Sequence, residues 1–175
     1  MIRPILEYPD PQLAEVSEPV TEINDDLLRL AADMAETMYH AEGIGLAAPQ
    51  IGIKQRLIVL DVTGPERREG LMCLINPELT PVGEEGTVVS DEGCLSVPLK
   101  YRSKVERAAK VRLKATALNG QTVELVADDI LAVCLQHEVD HLDGKLFLDH
   151  LSHLKRTLYN ARLNKSARRQ TEKTD

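Results

Sequence analysis

The 175-residue sequence has no tryptophan and one phenylalanine. A core built on large rings is excluded, so the core must be aliphatic. Its three cysteines have irregular spacing, which excludes the disulfide framework of a small secreted scaffold. In a reducing compartment, a cysteine with a special task is a ligand or a nucleophile. No stretch reaches the ~20 consecutive apolar residues of a membrane helix. The opening "MIRPILEYPDPQL" carries no apolar run of the kind a signal peptide needs. A net charge of −7 argues against a dedicated nucleic-acid binder. No repeat is found.

What remains is enough for one globular domain, with 43% hydrophobic residues. The charge is unevenly spread. From Lys155 onward seven Lys/Arg face Glu172 and Asp175, a net +5 that leaves −12 on the rest. Leu27, Leu30, Ala31, Met34 and Met38 share one face of a helix over 24–42, capped by Asn24 or Asp25 and ended by Gly43. "GIGLAAPQIGI" (43–53) reads as a loop by its Gly and Pro content. "RLIVLDV" and "LMCLINP" read as short buried strands, and "EGTVVSDEGCLSVP" as a strand entering a loop. Val111, Leu113, Ala115 and Ala117 alternate with polar residues in a hairpin, with a tight primed turn at Asn119-Gly120. A second helix spans 128–144, and a third spans about 151–163, followed by a frayed polar tail. This order predicts α+β architecture: mostly antiparallel sheet around a central helix, with helices at both ends.

"GIGLAA" satisfies G-x-G-x-x-A, a form of the dinucleotide fingerprint, and Asp61 follows where a ribose-binding acid belongs. Its context rejects that reading. A helix pattern precedes Gly43, and Pro49 and Gly52 deny the helix that should follow.

The central helix carries the strongest signal, "HEVDH". His137 and His141 are one turn apart on one face and can share a metal, with Glu138 beside them as a general acid/base for a metal-activated water. A hydrolytic centre needs a third ligand. Phe147 stands where one group of zinc proteases places a third His, and Glu172 is the only downstream Glu. His150 and His153 read as surface histidines. Cys134 is too far along the helix axis to join both histidines, and Cys73 reads as core. Cys94, in the loop segment "EGCLS", is the best third ligand by elimination.

With these residues assembled, the sequence resembles the bacterial peptide deformylases. "GIGLAAPQ", "EGCLS" and "QHEVDHLDG" are similar to that family's three motifs, in order, and the likeness extends to about residue 150. The resemblance implies a catalytic domain over 1–150, with residues 151–175 a C-terminal helix and basic tail. It implies hydrolysis of the formyl group from N-terminal formyl-methionine of new polypeptides. Fe²⁺ is the implied metal, replaceable by Zn²⁺, Ni²⁺ or Co²⁺, on Cys94, His137 and His141. Glu138 matches the general acid/base. Gln50 and the Leu95 backbone N–H match donors to the developing oxyanion. Ile44, Ile130, Val133 and Cys134 match the methionine pocket, and Gly43 to Gly45 the segment that pairs with the peptide backbone. The family often carries an Arg or Tyr after the second motif's proline. Tyr101 and Arg102 both stand there, and the sequence does not choose between them. The implied setting is the bacterial cytoplasm, the expected state a monomer without membrane contact, and the basic C-terminal segment a candidate ribosome contact.

Overall fold

Four residues of alternating direction set the middle layer of the molecule. Leu57 and Val59 face one side of a strand, and Ile58 and Leu60 the other, all fully buried. The strand therefore lies inside a sheet covered on both faces, which is why it reads as an unbroken apolar run. The computed structural model describes residues 1–83 and 86–171. Its helices are α1 (Asp25–His40), α2 (Asp129–Leu142) and α3 (His153–Thr171). Its strands are β1 (Gly45–Ala47), β2 (Leu57–Leu60), β3 (Met72–Pro81), β4 (Thr87–Gly93), β5 (Arg102–Ala108), β6 (Val111–Thr116) and β7 (Thr122–Ala127).

Five strands form an antiparallel sheet in the order β1-β2-β3-β6-β7, and β4 pairs with β5 separately. α1 covers one face of the larger sheet through Leu27, Ala31, Met34 and Met38. α2 covers the other through Ala132, Leu135 and Leu142, packed on Ile58, Leu60, Leu74 and Leu113. Each fully buried leucine here contributes about 1.5–3 kcal/mol. A third cluster of Val97, Val105, Phe147, Leu148 and Tyr159 ties the β4–β5 ribbon to α3. This is the α+β arrangement expected, with the "HEVDH" helix at its centre.

Local details depart from the sequence reading. Asn24 caps α1, its side chain accepting from Leu27 N at 3.0 Å, worth ~1 kcal/mol. At the other end Glu42, not Gly43, takes the left-handed conformation (φ 57°). Gly43 N–H then reaches back to Met38 O at 2.9 Å, the Schellman pattern. The expected loop 43–53 contains β1, paired with β2 from Gly45↔Leu60 to Ala47↔Ile58, and a 3₁₀ turn at Ala48–Ile51. Glycine and proline on either side hid a three-residue strand. β5 was also unread, because one of its inward residues is Arg107. Of residues 117–121 Gly120 alone has positive φ, so the β6–β7 connection is a longer loop and not a two-residue primed turn. α3 runs on to Thr171 through the segment expected to fray. Its Lys, Arg and Ala residues favour helix, and the buried Tyr159, with Leu163, anchors it. Residues 172–175 of the expected tail lie outside the described residues.

Asp61 has a structural task. Fully buried, it accepts from Tyr39 Oη (2.7 Å), Thr63 N (2.9 Å), Thr63 Oγ1 (2.6 Å) and Gly70 N (3.2 Å). Burial alone would raise its carboxyl, but these bonds outweigh that and lower it. Burial and then the bond to Asp61 push Tyr39 up to about 12. The carboxylate thus fastens the β2–β3 connection to α1. Asp61→Ala strands several buried donors and should cost about 2–4 kcal/mol, read as a lower denaturant midpoint at unchanged m. Because the folded-state value is lowered, the stabilisation is present above the ordinary carboxylate range. It is lost as pH falls through the folded value, so the gap between variant and parent should close only in strong acid.

Candidate active site

α2 presents His137 and His141 one turn apart, ring centroids 5.0 Å from each other. β4 ends at Gly93, and Cys94 follows it directly against the helix. Ligand atoms of Cys94, His137 and His141 lie within 4.8 Å of one another, with Cys94 Sγ 3.3 Å from His141 Nε2. Burial first, then the charges at His137 and Arg107, hold His141 well below its ordinary value. That shift favours the neutral imidazole a ligand needs. Among the described residues three buried side-chain atoms lack a partner, and two of them are Glu138 Oε2 and His141 Nδ1. A soft thiolate, two imidazoles and an unpartnered carboxylate oxygen beside them fit a divalent ion with one open position.

The three candidate ligands are held from behind. His137 Nδ1 lies 2.8 Å from Glu92 Oε1 on β4, a bond that leaves Nε2 for a metal. Arg107 on β5 grips Glu92 through two bonds of 2.9 Å and reaches Asp140 Oδ2 at 2.6 Å. Arg107 and Glu92 are 3% and 5% exposed. Burial would raise Glu92, but Arg107 and His137 outweigh it and hold the carboxyl at about 2. His150, expected as an ordinary surface histidine, places Nε2 2.7 Å from Asp140 Oδ2 and closes this network. Gln136 bridges α2 to β5 through both N–H and C=O of Ala108, at 3.0 and 2.9 Å. Phe147, at the position of the absent third His, packs its ring over His137 with centroids 6.2 Å apart. Glu92 stands within "EGCLS", where the sequence alone gives it no task. Arg107 carries no sequence signal, since a lone Arg in a polar run reads as solvated.

The front of the site is a cavity of about 1160 Å³. Gly43, Ile44, Gly45, Ile130, Val133 and Cys134 all line it, as do Gln50, Cys94, Leu95, His137 and Glu138. His141 lies deeper, 1% exposed. Ile130 is a rim residue, 54% exposed, whereas Cys134 is buried with Sγ 3.7 Å from Ile44 O. Tyr101 and Arg102 both border the cavity. Tyr101 is held by Tyr159, its ring 4.5 Å away, and Arg102 by Asp91 at 2.8 Å. Gln50 is buried, not a solvated loop side chain; its Oε1 accepts from Ala47 N at 2.8 Å and its Nε2 lies 3.6 Å from Cys94 Sγ. Glu138 is 4% exposed, and burial pushes its carboxyl up to about 7. The two glycines acquire a second meaning. A Cβ at Gly45 would fall 2.3 Å from Glu138 Oε1, and one at Gly43 2.8 Å from Leu95 Cδ1. Their missing side chains make room for the carboxylate and for Leu95.

The sequence matches the polypeptide deformylase family model over residues 2–157. The chain belongs to the polypeptide deformylase family. It is 51% identical to the peptide deformylase of Alkalilimnicola ehrlichii over 164 residues, 94% of this chain and 90% of that one. With the peptide deformylase of Acinetobacter baumannii (strain SDF) the identity is 50%, over 97% and 95% of the two chains. The crystal structure of the Legionella pneumophila peptide deformylase superposes with a TM-score of 0.87 at 44% identity, covering 98% of each chain. As a deformylase the protein is an amidohydrolase that removes the N-terminal formyl group from nascent peptides. Members are metalloenzymes, and Cys94, His137 and His141 form a group able to hold the ion.

Arg107→Ala would leave the buried Glu92 and the partly buried Asp140 without their shared cation beside the site. We expect a loss of about 3–5 kcal/mol in stability. Metal should bind about 10- to 100-fold more weakly. Thermal unfolding and chelator competition measure the two effects.

Proposed function

We propose that Cys94, His137 and His141 hold the metal, natively Fe²⁺ with Zn²⁺, Ni²⁺ or Co²⁺ as substitutes, and that Glu138 is the general acid/base. A divalent ion bound there would bring a water's pKa toward ~7, so that hydroxide is available at neutral pH. Glu138 takes that water's proton and returns it to the departing amine of methionine. Its burial beside the ligands, with one oxygen unpartnered, supports this role. The Gln50 side-chain amide and the Leu95 backbone N–H donate to the formyl oxygen as it gains charge. Fixed donors need no reorganisation at that moment.

The methionine side chain enters the slot of Ile44, Ile130, Val133 and Cys134, and the peptide backbone pairs along Gly43–Gly45. The observation that carries the reading is convergence. A strand end, a helix and a 3₁₀ turn bring Cys94, His137, Glu138 and Gln50 to one cavity, with His141 against Cys94 behind it. In this reading residues 1–150 are the catalytic unit and 151–175 an appended helix and tail. Its bacterial relatives support a cytoplasmic setting, and the working unit is a monomer. Among the described residues no helix is long and apolar enough to cross a membrane.

Anaerobically purified protein should release formate from a formyl-methionyl peptide. Glu138→Ala should keep its metal while kcat falls about 100- to 10,000-fold. An intact metal site without formate release, or an unaffected variant, sinks the mechanism.

α3 carries the basic surplus, and we assign it to ribosome contact near emerging chains. Truncating the helix would remove the buried Tyr159, so charge removal is the cleaner probe. Replacing the exposed Arg162, Lys165 and Arg169 with Gln should weaken co-sedimentation with ribosomes and flatten its salt dependence. Unchanged binding rejects the contact.

A further inference from the structure

We infer that Ser96 is a positioning residue whose hydroxyl holds the Gln50 side-chain amide in its donating orientation. The inference rests on the reading of Gln50 as an oxyanion donor. Ser96 is fully buried and does not line the cavity. Its Oγ lies 3.1 Å from Gln50 Nε2. The amide's identity is settled by its other end. Ala47 N–H can only donate, so the atom 2.8 Å away is Oε1 and the remaining atom is the NH₂ group.

A glutamine amide torsion is soft and roughly twofold, so one contact leaves the plane free to swing. Ala47 pins the oxygen, and Ser96 accepts one N–H from the rear. The second N–H is directed at Cys94 Sγ, 3.6 Å from Nε2, at the edge of the cavity. That is the direction in which a carbonyl oxygen beside the ligands would sit.

Two further observations place Ser96 in register with Gln50. One N-terminal segment ties both backbones, Leu6 N–H to Gln50 O at 2.7 Å and Tyr8 N–H to Ser96 O at 2.8 Å. Ser96 N–H also lies 3.4 Å from Cys94 Sγ. This backbone contact survives loss of the hydroxyl. Ser96→Ala therefore removes the hold on Gln50 and leaves the support of the ligand sulfur.

The test pairs a spectroscopic readout with kinetics. By ¹⁵N NMR of the zinc-loaded protein, one Gln50 side-chain proton should exchange with solvent at least about tenfold more slowly than an exposed amide, and Ser96→Ala should abolish that protection. In turnover, Ser96→Ala should lower kcat about 10- to 100-fold with KM within about twofold and metal content unchanged. Gln50→Ala should lower kcat about 100- to 1,000-fold. Adding Ser96→Ala to Gln50→Ala should change kcat less than about twofold, because one residue acts through the other. Equal costs in both backgrounds, or exchange unaffected by Ser96→Ala, overturn the inference. If Ser96→Ala does not fold, rapid exchange of both Gln50 protons in the unaltered protein overturns it alone. An unimpaired Gln50→Ala sinks the donor reading and this inference with it. A slow Gln50→Ala beside an unaffected Ser96→Ala sinks the inference only.

Discussion

The buried pair of Glu92 and Arg107 is the interaction on which the site depends. It joins two strands of the small ribbon to each other and, through His137 and Asp140, to the central helix. Taking such charges out of water costs several kcal/mol per ion, and the cost is offset only when every lone pair and N–H finds a partner. Here Glu92 accepts from both Arg107 and His137, while Arg107 also donates to Asp140. The pair therefore acts as a clamp. It brings the strand carrying Cys94 to the helix carrying the histidines, although Cys94 and His141 are 47 residues apart in sequence.

The second constraint is space. On the larger sheet the core is mostly aliphatic and built in two layers, whereas the third cluster is built on Phe147 and Tyr159, so α2 rests on a close-packed floor. Above that floor the glycines of the 43–45 segment are complements to their neighbours. Gly45 exists where the Glu138 carboxylate needs volume, and Gly43 where Leu95 does. The resemblance implied a segment that pairs with a substrate backbone. The structure adds an inward reason for the same residues.

Legibility followed the kind of signal each element carries. α1 and the β6–β7 hairpin have periodic apolar residues and β2 an unbroken apolar run, and they formed where expected. β1 is too short for a period to show, and β5 turns an arginine inward, so neither could be read. The three residues able to hold a metal were legible because few residue types ligate and elimination left Cys94. The residues behind them were not. A buried ion pair has no period, and its partners look like ordinary surface charge until folding brings Glu92, Arg107 and Asp140 together. His150 lies at the surface as expected, and only its bond to Asp140 carried no sequence signal.

The segment from Gln136 to His141 has a mechanical consequence. Gln136 is bridged to β5, His137 to Glu92, Glu138 fits against Gly45, Val139 packs on the core, Asp140 meets Arg107, and His141 faces Cys94. Six consecutive side chains point around the full circumference of the helix, and each engages something different. The helix is keyed like a splined shaft. Neither a turn about its axis nor a slide along it can satisfy one partner without breaking the others. Any adjustment at the cavity is thus left to its rim, where Ile130 is half exposed and Arg102 reaches out to Asp91.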